Sequence, residues 1–134
     1  MVVLGLALYQ YYHVEHTRVD DSRDGAANSV QLAYVARQSG LWVETAGRVI
    51  RVLKDDNEGS RHQKFSIELD DGHSVLVAHN FDLARRIPAQ KGVALTLRGR
   101  YEWNDRGGVI HWTHHDPDGR EQGGWIEVDE VRYK

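Results

Sequence analysis

The segment His111-Trp112-Thr113-His114-His115-Asp116-Pro117 carries three of the chain's eight histidines and an acid, directly behind Gly107-Gly108. Imidazole is the one side chain whose ordinary pKa lies near neutrality, so it can give, take or coordinate without extreme tuning. A surface has little structural use for three of them together. The cluster therefore points to acid–base chemistry or ligand binding. Two further histidines sit where strands should begin or end: His62 behind Arg61, and His79 before Asn80. Glu102 and Asn104 flank a later turn, and Arg100 lies close by. A rim of His, Asn, Glu and Arg supplies an acid–base pair and a clamp for an oxyanion or phosphate.

On this reading His79, His111 and His114 are the acid–base candidates, and Glu102 or Asp116 fixes a histidine tautomer. Arg61 and Arg100 neutralise an anion, while His62, Asn80, Asn104 and Trp112 complete its binding. A divalent metal such as zinc is a further option, with His115 and Asp116 as ligands and His79, His111 and His114 as additional candidates. The spacing matches no established metal motif. For each histidine taken alone, the plainer alternative is a strand cap or a solvent contact. Trp42, Trp103, Trp112 and Trp125 form either a stacking platform for bases or sugars or core and cover for a small barrel.

These residues need elements to hold them. Asn28 or Ser29 can cap a helix running through Gln38, with Val30, Ala33 and Tyr34 as its buried stripe and Ser39-Gly40 as its stop. From residue 41 the period changes to two. Trp42–Leu53 reads as a long strand, bent at Gly47, followed by the polar turn Asp55–Ser60. That turn lacks the ligand spacing of a calcium loop. Gln63–Leu69 and Ser74–His79 are strands joined by Asp70-Asp71-Gly72. Phe81–Ile87 is expected as a short helix stopped by Pro88. Val93–Trp103, Val109–His114 and Trp125–Val128 are the remaining strands. Period-two alternation across Val109–His114 would send His111 and Thr113 to one face, and Trp112 and His114 to the other.

Three strands, a short helix and two strands, behind an N-terminal helix, match a mainly β, five-stranded OB-fold-like Greek-key barrel. An SH3-like barrel would not ask for the helix between strands three and four. With 134 residues the chain makes one domain, expected at 28–134. Its 17 basic and 20 acidic residues give a net charge of −3, so no global basic field advertises nucleic acid. The absence of cysteine excludes disulfides, thiolate metal sites and a cysteine nucleophile. Residues 1–12 form an apolar run ending in Tyr9, Tyr11 and Tyr12, shorter than the roughly 20 residues a spanning helix needs. They read as the tail of a signal anchor tethering the chain to a membrane, or as a short element packed on the domain. Residues 13–27 read as a polar linker.

Several phrases resemble the bacterial family DUF3465, whose function is unknown. They are Gly47-x-Val49 through Asp55-Asp56, Gly59-Ser60-Arg61-His62-Gln63-x-Phe65, Leu76-x-Ala78-His79-Asn80, Gly99-x-Tyr101-Glu102-Trp103-Asn104, Gly107 through Pro117, and Gly124-Trp125-Ile126. The resemblance implies a small envelope-associated bacterial domain, periplasmic or membrane-anchored, and brings no catalytic assignment. From the residues themselves, three functions are expected to compete: a hydrolase acting on a phosphodiester or similar anion, a non-catalytic module holding an oligonucleotide, a glycan or an envelope partner, and a metal-binding envelope protein.

Overall fold

The computed structural model describes residues 22–134, with side chains from Ser29 onward. Helix α1 (Ser22–Val35) is followed by β1 (Leu41–Val52), β2 (His62–Leu69), β3 (Ser74–Asn80), β4 (Ala94–Glu102), β5 (Val109–His111), β6 (Trp125–Val128) and β7 (Val131–Tyr133). β1 pairs with both β2 and β4, β2 with β3, β3 with β5, and β5 with β4. Five strands therefore close in the order β1-β2-β3-β5-β4, and β6 and β7 extend from β4. Every pairing in the ring is antiparallel except β3–β5.

Alternation decides what the barrel encloses. Phe65, Ile67 and Leu69 of β2, Val75 and Val77 of β3, Leu95, Leu97 and Tyr101 of β4, and Ile110 of β5 all point inward and are buried. The residues between them face out, which is the pattern of a sheet with one solvated face. β1 bends around the ring at a bulge, where Val49 opposes Ile67 but Arg51 opposes Ser66, leaving Ile50 extra. Burial pushes the pKa of the Tyr101 phenol up to about 12. Its hydroxyl stays protonated and donates to the Gly107 carbonyl at 2.9 Å.

Several expectations are corrected in detail. The helix occupies Ser22–Val35, not Asn28 or Ser29 to Gln38. Past its end Arg37 caps it, with a φ of 54° that lets Gln38 N–H reach the Ala33 carbonyl and Arg37 N–H the Tyr34 carbonyl. Val30 and Ala33 enter the core as expected. Phe81–Ile87 is not helical. The chain makes a turn on the Asn80 carbonyl, and the backbone groups a helix would use are taken by barrel side chains. His79 takes the Arg85 carbonyl, and Gln63 takes both the N–H and the carbonyl of Ile87.

β5 stops at His111 because Trp112 adopts φ 58°, so the expected alternation through His114 breaks there. The hairpin to β7 was not anticipated. Asp129 and Glu130, both at positive φ, make the two-residue turn usually signalled by Asn-Gly. The 1–12 apolar run and residues 13–21 of the expected linker lie outside the described residues, while Ser22–Ala27 are helical. Among the described residues no helix is long and apolar enough to cross a membrane.

Candidate functional site

The outward residues of β2, β3, β5 and β4 build a groove. Lys64 opposes Ala78, and His111 opposes Arg100. Val77 pairs with Ile110, so the next residues along these parallel strands, Ala78 and His111, are also neighbours. One row across the sheet thus reads Lys64–Ala78–His111–Arg100. Lys64 and His111 are two strand spacings apart, about 10 Å, and the alanine between them leaves a dip. The dip measures about 250 Å³ and is lined by Asp56, His62, Lys64, Leu76, Ala78, Glu102, Val109 and His111.

Two imidazoles in the groove are oriented. His62 Nδ1–H donates to the Ser60 carbonyl at 2.8 Å, which leaves the lone pair on Nε2. The Asp55–Ser60 loop presents it, with Asp56 and His62 exchanging backbone hydrogen bonds. Across the groove His111 Nε2–H meets Glu102 Oε1 at 3.2 Å. This is the carboxylate-to-histidine partnership expected from the sequence. Arg100 ends the row, with one guanidinium nitrogen donating to the Gly40 carbonyl at 3.2 Å and a buried Nε without a partner.

Trp112 and His114 stand beyond the end of β5. Their rings stack at 5.4 Å and 26°. His114 is buried, and its Nδ1–H donates to the His115 carbonyl. Burial lowers its pKa, and the neighbouring imidazoles lower it further. His115 is exposed, edge-on to His114 at 6.3 Å.

The other expected site residues serve the fold. His79 is fully buried inside the barrel. Since a carbonyl can only accept, its Nε2–H donates to Arg85 O at 2.8 Å, and Nδ1 accepts from the Thr113 hydroxyl at 2.7 Å. With both nitrogens committed, His79 has neither a free lone pair nor a free proton for a substrate. Asn80 accepts from Asp82 N–H and organises the following turn. Arg61 is bound to Asp82 through its side chain at 2.7 Å. Asn104 accepts from Arg106 and Gly108 N–H in the β4–β5 turn.

Asp116 accepts from the N–H groups of Asp118, Arg120 and Glu121, and these bonds hold its pKa below the usual carboxylate value. The expected His115–Asp116 metal pair therefore gains no third ligand. Among the described residues no group of three or more His, Cys, Asp or Glu is placed to hold a metal ion.

Asp56 and Lys64 were missed as site residues, although Lys64 stands outward in the alternation of β2. A larger hollow of about 430 Å³ opens elsewhere on the barrel, but Glu68, Asp70, Glu127, Asp129 and Glu130 line it against a single Arg48. It holds no histidine and none of the site residues singled out from the sequence, so the histidine groove is the better candidate.

The buried imidazoles set a pH dependence. Burial holds His79 and His114 below the ordinary value of 6.5, so both are neutral in the fold. The unfolded chain takes up these protons first as the pH falls. Their contribution to stability is thus complete above about pH 6.5 and is lost as the pH falls through the lower native values. The midpoint of thermal unfolding should drop between pH 7.5 and 5. A midpoint that rises toward acid would contradict this assignment.

No curated protein matches the chain. The family model described as a protein of unknown function (DUF3465) matches residues 15–134, nearly the whole sequence. With its small closed barrel and histidine-lined groove, the chain belongs to the DUF3465 family.

Proposed function

We propose that the groove binds an anionic ligand of the phosphodiester class. The observation carrying this reading is that Lys64 and His111 face each other across Ala78, with His62 beside them, around a floor of small and apolar groups. Lys64 offers a mobile point charge at one side, and His111 supplies an N–H that can turn from Glu102 to a ligand oxygen. Asp56 and Glu102 oppose an anion, so the ligand must be held by Lys64 and the imidazole N–H groups against them. The ring order also suits an OB-like reading, in which the β2–β3 face and the neighbouring loops take ligands. An envelope setting, with residues 1–12 as a tether, belongs to the same proposal.

A second reading is favoured by one observation, the two oriented imidazoles. His62 Nε2 can take the proton of a water attacking phosphorus, and His111, when it carries a second proton beside Glu102, can pass one to the leaving oxygen as its bond to phosphorus breaks. The groove would then cleave the diester that it binds. His62 and His111 replace the expected pairing with His79, whose nitrogens are both committed.

Binding of labelled oligonucleotide and polyphosphate, measured by anisotropy at low salt, tests the first reading. Lys64→Glu should weaken both at least tenfold, with less than about 0.5 kcal/mol lost in stability, as for an ordinary surface change. Unchanged affinity in this variant would refute it. Turnover of a chromogenic phosphodiester separates the second reading. His62→Ala or His111→Ala should abolish turnover, and an inactive wild type that still binds leaves only the binding function.

A further inference from the structure

Three of the four tryptophans are covered by a guanidinium. Arg98 lies over Trp42 at 4.7 Å, Arg37 over Trp103 at 5.2 Å, and Arg132 over Trp125 at 3.9 Å. Among the described residues Trp112 has no such cover, and it is the most exposed of the four, at 36%. One of its neighbours is the His114 ring, stacked against it, and its backbone directly continues His111 out of the groove. Its φ of 58° is a conformation that non-glycine residues seldom adopt. Gly124 helps to hold it there, because any Cβ at that position would run into the carbonyl oxygens of Trp112 and Arg98. The fold thus accepts a strained backbone and an open indole next to His111, where burying the ring under an arginine is its habit elsewhere.

We infer that the Trp112–His114 pair is a stacking platform for a nucleobase, so that the ligand of the groove is single-stranded nucleic acid. The inference rests on the anion-binding reading above. Phosphates would lie along Lys64, His62 and His111, and a base would stack on the exposed indole. The acidic groups facing this path are Asp56 and Glu102, and the titratable ones are His62, His111, His114 and His115. Aromatic platforms accept any base, because every base has a π-face. The platform therefore confers preference for base-bearing over base-free polyanions without sequence choice.

The test compares a ten-nucleotide oligothymidylate with an abasic phosphodiester of the same length, by anisotropy at pH 6.5 and low salt. The wild type should bind the oligothymidylate about tenfold more tightly, the order expected for one stacked base. Trp112→Ala should bring it to the abasic level and leave abasic binding unchanged. Trp112→Phe, which keeps a ring, should retain part of the preference, and thermal melting of both variants checks that the fold survives. Equal wild-type affinity for the two polymers would overturn the platform while leaving the anion groove standing. Failure of both polymers to bind would overturn the groove as well.

Discussion

Replacing His79 with Ala should lower the stability of this domain by about 3–5 kcal/mol, a drop in the unfolding midpoint of roughly 12–20 °C. The side chain is fully buried and bonds at both nitrogens, joining the strand β3 to Thr113 behind β5 and to Arg85 in the segment between β3 and β4. Truncation leaves the Thr113 hydroxyl and the Arg85 carbonyl without partners, each worth about 1–3 kcal/mol when buried. A cavity of nearly ring size adds to that cost. It also releases the segment that crosses from β3 to β4, because the Arg85 carbonyl is one of its ties to the barrel. His62→Ala removes a solvent-facing ring and should cost less than about 1 kcal/mol. Thermal melts of the two variants side by side check the assignment. A His79→Ala midpoint within a few degrees of wild type would show that this histidine does not tie the fold.

The second large effect belongs to Gly124. A Cβ there would meet the carbonyl oxygens of Trp112 and Arg98 and approach Thr113 Cα at 3.1 Å. These are backbone atoms, so no side chain can swing aside to make room. Gly124 N–H also donates to the His114 carbonyl at 2.7 Å, which ties this glycine to the histidine segment. Gly124→Ala should therefore push the Trp112–His114 segment away from β4, at a cost of about 3 kcal/mol or more. Gly59→Ala provides the contrast. Nothing lies within 4 Å of its Cβ position, and only its φ of 66° opposes the change. That strain amounts to about 1 kcal/mol. Equal midpoints for the two variants would mean that the close approach at Gly124 carries no energetic weight.

These two positions show what could and could not be read from the sequence. His79 looked like a strand-end residue at a rim. Yet Val75 and Val77 set the inward phase of β3, and His79 continues it, so its burial was legible in the alternation. The same rule places Lys64 outward between Gln63 and Phe65, and Arg98, Arg100 and Glu102 outward between Leu97, Gly99 and Tyr101. What alternation cannot supply is which strands lie side by side. Only the β3–β5 and β4–β5 registers bring Ala78, His111 and Arg100 into one row with Lys64. Those are long-range pairings without a local signal.

The helix expected at Phe81–Ile87 failed for the same reason. Its backbone groups are claimed by Gln63 and His79, distant in sequence. Likewise Gly123-Gly124 reads as an ordinary loop dipeptide until Trp112 and Arg98 are placed against it. The histidine segment itself divides. His111 faces the groove, Trp112 turns back at positive φ, Thr113 locks His79, and Asp116 builds the loop that follows.

The central claim is that the groove lined by Lys64, His62 and His111 takes an anion. Histidine ring resonances followed by NMR while polyphosphate is added test it directly, with internal controls in one sample. His73 donates to the Gly107 carbonyl at the opposite end of β3, and His79 is sealed in the barrel. The account predicts saturable shifts at His62 and His111, with His73 and His79 unmoved. Shifts absent from His62 and His111, or no larger there than at His73, would contradict it.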